Sequence, residues 1–202
     1  MELIVTTIII GIMMVGIAAV DVALRQTERG TSANSIVVMR TSAIMLHISK
    51  SVEVATGDGR TDAGGTPINL GIIFSTVDAN RPSLWVRREN PANPNPDPNT
   101  YDDDVWVGYT LKIADNTLYY CVTPDDPSPG PTPSTPCDGV AGRLNLGALT
   151  GFTASLITDS ATQTFYLETT LTNRLDPNAA ADTFDNPEHI LTSRISPASS
   201  SF

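Results

Sequence analysis

The chain has 202 residues and a formal net charge of −10, from 22 acids against 12 bases. That length holds one domain plus an appendage. The acid surplus excludes the basic footprint that nucleic acid requires and argues against docking onto anionic lipid. The charge is uneven: residues 1–57 hold four acids and four bases, so residues 58–202, with 18 acids and 8 bases, carry the entire −10.

The chain opens on one acid, Glu2, followed by 18 uncharged residues, Leu3 to Val20. A run of that length is at the lower end of what crosses a bilayer as a helix. A carboxylate at its lip is costly in lipid and needs a reason to be there. The string Met1-Glu2-Leu3-Ile4-Val5 and the apolar run behind it resemble the N-terminus of type IV pilins and type II secretion pseudopilins. Gly11 falls where many members of that family carry a helix glycine. The resemblance implies a pilin-like fold, with a long N-terminal helix that anchors the monomer in the cytoplasmic membrane and later packs into a helical filament of identical copies. Prepilin peptidase and an assembly machine are implied as handling partners. The resemblance implies Glu2, Leu3, Gly11 and Gly16 as the assembly residues. In the family the glutamate is thought to pair with the N-terminal amine of a neighbouring subunit, which would offset the cost of burying its charge in an apolar bundle. An interfacial acid at a membrane surface is the plainer alternative.

The family's glutamate usually stands fifth in the mature chain, and here it stands second. The first cations, Arg25 and Arg29, lie beyond the run, so the positive-inside rule on this chain alone would place the following residues in the cytoplasm. A processed chain, or one that starts inside its precursor, with a short basic leader removed, resolves the conflict and is the expectation.

From Val22 to Ala55 the pattern is helical. Val37, Thr41, Ile44, Met45, Ile48, Val52 and Ala55 form a single stripe. Arg40, His47 and Lys50 are expected on the opposite side. Gly57-Asp58-Gly59 reads as the stop signal. One helix over residues 2–55 would run about 80 Å at 1.5 Å per residue, too long for a domain of this size. The first half, residues 1–24, therefore needs lipid or other copies, and residues 25–57 need a domain to lie on. Residues Gly30 to Ser35 are small, polar and weakly helical, which allows either a bend or close packing. With no proline before Pro67, any kink must come from Gly11, Gly16 or Gly30.

Beyond residue 57 the signals are those of strands. The expected strands are Ile68–Ser75, Leu84–Arg88, Val105–Ala114, Thr117–Thr123, Arg143–Leu149, Phe152–Thr158, Thr164–Asn173 and His189–Ser196. Ala114-Asp115-Asn116 reads as a tight turn. The predicted class is α+β, with an extracytoplasmic β-rich domain over 58–202. The segments Phe165–Thr172 and Pro187–Ile195 resemble the C-terminal strand pair of J-type pseudopilins and the larger minor pilins.

Cys121 and Cys137 enclose 15 residues rich in proline, serine, threonine and aspartate. An oxidising compartment and a loop unable to order itself by burial favour a disulfide; two free buried thiols are the alternative. No zinc spacing is present, since the only histidines are His47 and His189. Asp102, Asp103 and Asp104 are calcium candidates, as are Asp58 and Asp62, but neither group matches a calcium loop and solvated turn acids are the better reading. No cofactor is expected. His47 reads as a surface or packing residue, and the His189–Glu188 pair lacks a nucleophile elbow, so no enzyme site is expected.

The function expected is that of a structural filament subunit at the cell surface, with adhesion, motility or secretion as its use. A minor pseudopilin capping a short secretion pseudopilus is one alternative. A single-pass membrane-anchored binding module is the other.

Overall fold

A computed structural model describes residues 2–56, 71–76, 78–90, 92, 104–124, 135–159, 164–181, 183 and 186–197, with side chains from residue 13 onward except those of 158, 159 and 164. One helix, α1, runs unbroken over Glu2–Glu53. The weak patch does not break it. Thr27, Thr31, Ser35 and Thr41 each donate their hydroxyl to the carbonyl four residues earlier, at 2.8–2.9 Å, which satisfies polar side chains without interrupting the backbone ladder. The helix ends at Glu53, with the Ala55 N–H closing a last turn on Val52 O. The proposed stop at 57–59 lies outside the described residues.

Among the described residues eight antiparallel strands follow: β1 Ile72–Ser75, β2 Ser83–Arg88, β3 Val105–Lys112, β4 Thr117–Pro124, β5 Leu144–Ala148, β6 Gly151–Asp159, β7 Thr164–Arg174 and β8 Glu188–Ile195. Each coincides with an expected strand to within a few residues. Strands β1 to β5 form one sheet in sequence order, and β6, β7 and β8 form a second. The β3–β4 turn is a short 3-10 turn, Ile113–Asp115, closed by Asn116 in the left-handed region at φ 50°. Asparagine tolerates that conformation better than most residues. The chain passes between sheets across two residues: Leu149 N–H donates to Asn116 O in the first, and Thr150 N–H to Thr172 O in the second.

Both sheets rest on one face of α1. The whole predicted stripe, Val37, Thr41, Ile44, Met45, Ile48, Val52 and Ala55, is buried. Its members from Ile44 to Ala55 form one cluster with Leu84, Val86, Val107, Leu111 and Leu118 of the larger sheet and Phe152, Leu167, Leu171 and Ile195 of the smaller. Thr41 is the one polar member, and it is satisfied: it donates to Val37 O, and Asn173 Nδ2 of β7 donates to it at 3.3 Å. Gly71, at φ +63°, lets the strand entrance pass so close to Thr56 O that a Cβ there would lie 2.0 Å from it.

The far face of the larger sheet holds a second cluster, Trp85, Trp106, Cys121 and Cys137. The cysteines are joined in a disulfide, with Cα atoms 5.4 Å apart. Cys137 N–H donates to Thr110 Oγ1, itself 2.8 Å from Ser83 Oγ, so the bridge and a polar bond hold the same segment against the sheet.

Candidate assembly surface

The helix changes character along its length. Every residue from Met13 to Arg29 is exposed, and the first covered position is Gly30, followed by Ala33 and Val37. The bare part presents Met13, Met14, Val15, Ile17, Val20, Val22 and Leu24 in all directions, with Ile17 68 % exposed. Gly16 has no neighbouring atom within 4 Å of where a Cβ would lie, and with Met13, Ile17 and Val20 it lines a shallow apolar notch. Asp21 and Arg25 pair one turn apart at 3.0 Å, which softens the charge of the only ion pair described on this part. Of the other sequence-expected assembly residues, Glu2, Leu3 and Gly11 belong to α1, but the side chains of Glu2 and Leu3 and the surroundings of all three lie outside the described residues.

Among the described residues no helix is long and apolar enough to cross a membrane. Of the run Leu3–Val20, side chains are described only from Met13 onward.

The outward side of the covered part is not uniformly polar. Met39 is 69 % and Leu46 57 % exposed, and Ile36 is also open. The expected polar side holds for Lys50, which is exposed, while His47, though exposed, and Arg40 also pack against the sheet. His47 is a packing residue: its ring stands edge-on to Tyr120 with centroids 5.0 Å apart, and its Nδ1 lies 2.9 Å from the Tyr109 hydroxyl. Arg40 runs along β5, its Cδ 3.5 Å from where a Cβ on Gly147 would sit. The helix is rolled so that these two side chains flank the sheet edge and leave Met39 and Leu46 pointing out.

Tyr109 OH is also 2.7 Å from Ser51 Oγ and donates to His47 O at 3.2 Å. Burial pushes the Tyr109 phenol far above its usual value. Desolvation, then Arg88, then Lys50, hold His47 below its usual value. Near neutral pH the pair is thus a protonated phenol and a neutral imidazole. The tyrosine stands between the imidazole and the buried Ser51, so this is a packing network and not an activated nucleophile. Sequence reasoning missed it because the partners are 58 and 62 residues apart.

The calcium candidates also change. Asp104 is buried and ion-paired with the equally buried Arg87, so it is not a solvated turn acid. A carboxylate committed to a guanidinium has little left for a hard cation. Asp58, Asp62, Asp102 and Asp103 lie outside the described residues, and among the described residues no cluster of three or more His, Cys, Asp or Glu is placed to hold a metal.

Comparisons with protein-family models, curated proteins and solved structures give no match.

Proposed function

We propose that the chain is a pilin-like structural subunit that polymerises through the bare part of α1 into an extracellular filament. The observation that carries this reading is the split in the helix. Residues 30–55 have their own domain to lie on, whereas 13–29 expose large apolar side chains all round with nothing among the described residues to cover them. Apolar surface of that extent needs either lipid or further copies of itself. The reading assigns both in turn, membrane first and filament core after assembly, and the resemblance at Glu2–Leu3 supports that order. The role is structural, and the β domain forms the outer shell. The β7–β8 pair, similar to J-type pseudopilins, favours a short secretion pseudopilus as the second reading.

A charge placed in the bare part tests the proposal. Ile17→Glu leaves the β domain untouched, since Ile17 lies well above the first covered residue, and it should abolish fibres in sheared cell-surface material. Normal fibre yield from that variant would remove the bare helix from the interface.

A further inference from the structure

A sheet edge offers unpaired backbone groups to any passing strand. Folded proteins guard their edges with charges, proline, bulges or short strands. Among the described residues four strands stand at sheet edges, and three of them are guarded. β1 has only four residues. β5 has five, lies opposite a register shift at Leu118/Tyr119 and carries Gly147 at φ +125°. β8 carries Glu188, His189 and Arg194. β6 has none of these devices before its last residue, Asp159. It is nine residues long, and neither a charge nor a proline stands between Arg143 and Asp159. Among the described residues its backbone hydrogen-bonds to β7 alone.

The side chains of β6 show that the edge is open. Phe152 and Ala154 join the core, and Phe152 is covered by the ring of Phe74 from β1. Strand alternation puts Leu156 on the same face. It stands level with Leu167 of β7, which stands level with Ile195 of β8. Leu167 and Ile195 are 0 % and 5 % exposed, whereas Leu156 is 46 % exposed. This row of core side chains is thus closed at β7 and β8 and bare at β6. On the outer face Thr153 and Ser155 are both exposed.

We infer that β6 pairs antiparallel with β6 of a second copy about a two-fold axis at Ala154, joining two three-stranded sheets into one. The strand's own pattern names the occupant. Phe152-Thr153-Ala154-Ser155-Leu156 reads alike from either end: apolar, hydroxyl, small, hydroxyl, apolar. A two-fold contact requires this kind of self-complementarity. In the register centred on Ala154, Leu156 lies beside Phe152 of the other copy, and Thr153 lies beside its Ser155. Leu156 gains the cover that its own sheet does not supply. Main-chain bonds hold such a pair together and the side chains select the register. Charge favours the same place. Residues 58–202 carry the whole −10, so two copies repel least along an uncharged run. The inference goes beyond the filament reading and does not depend on it. In filaments with the β domain outside, the same contact ties neighbouring fibres side by side.

The test uses the full chain in detergent, in an Ile17→Glu background that removes association through the bare helix. Sedimentation should show a dimer whose population rises with protein concentration. Leu156→Lys should raise its dissociation constant at least about tenfold, because a lysine on an edge strand blocks pairing. If the thermal midpoint shows that Leu156→Lys unfolds the domain, Ser155→Lys on the exposed outer face carries the test with the same expectation. Ala154→Cys should give a disulfide-linked dimer, since a two-fold at that position brings the residue within bridging distance of its own copy. A chain that stays monomeric overturns the inference and leaves the edge to a strand of another protein. A dimer that both lysine variants leave intact also overturns it, and places the contact on another face. Neither result touches the filament reading, which is judged from fibres with Ile17 in place.

Discussion

Gly108 lies directly under the sulfur of Cys137: a Cβ at position 108 would fall 2.5 Å from Cys137 Sγ and 2.3 Å from the Trp85 ring. The disulfide and the tryptophan can approach β3 that closely because the strand has no side chain there. Gly108→Ala should therefore destabilise the domain by about 1–3 kcal/mol, the usual cost of overpacking a filled core. Urea unfolding followed by tryptophan fluorescence measures it. A loss below the error of the fit would mean that the cluster is loosely packed.

The bridge itself closes a segment of sequence separation 16. Replacing both Cys121 and Cys137 by serine should lower stability by about 3 kcal/mol on chain-entropy grounds. The helix stripe lies on the other face of the sheet, so hydrogen-exchange protection of residues 37–52 should persist under native conditions. Loss of protection there as well would show that the two faces unfold as one unit.

The buried Arg87–Asp104 pair gives a third expectation. Asp104→Ala takes a carboxylate from a guanidinium that is 1 % exposed and should cost about 3–5 kcal/mol, whereas Arg87→Met with Asp104→Leu should recover much of it. Chelation of calcium should leave the wild-type melting temperature unchanged, because Asp104 is engaged inside the protein. A midpoint that drops with chelator would return the acidic loop to the list of cation sites.

His47 makes stability pH-dependent. Its folded pKa lies below the ordinary value of 6.5, with burial the largest cause and Arg88 next. As pH falls through the unfolded value, the unfolded chain takes up the proton first, so stability declines from there down to the folded pKa and then levels. Above about 7.5 the group contributes no slope. His47→Gln should flatten the stability profile between about pH 7 and pH 5 relative to wild type. Parallel profiles would assign the slope to other groups.

Much of the fold was legible because it depends on local periodicity. The stripe from Val37 to Ala55 could be read at helical spacing, and the eight strands from their β-branched runs and the turns that bound them. The crossing between sheets at Leu149-Thr150 was not, since nothing in Arg143–Thr158 distinguishes a hairpin from a change of sheet. Asp104 looked like a surface acid because Arg87 is distant in sequence. Met39 and Leu46 could not be assigned to the outward side until the roll of the helix was fixed by Tyr109 and Tyr120. The candidate surface divides likewise: an apolar run is visible residue by residue, but the point where cover begins, Gly30, depends on how far the domain reaches along α1.

The central claim is that copies associate through the uncovered part of α1. Electron microscopy of material sheared from cells that express the chain, with cysteine placed at Val20 to trap neighbouring helices, tests it most directly. The account predicts thin fibres whose subunits cross-link into ladders through position 20. Fibre-free preparations, with the chain recovered only as an uncross-linked membrane-bound monomer, would contradict it and favour the anchored module.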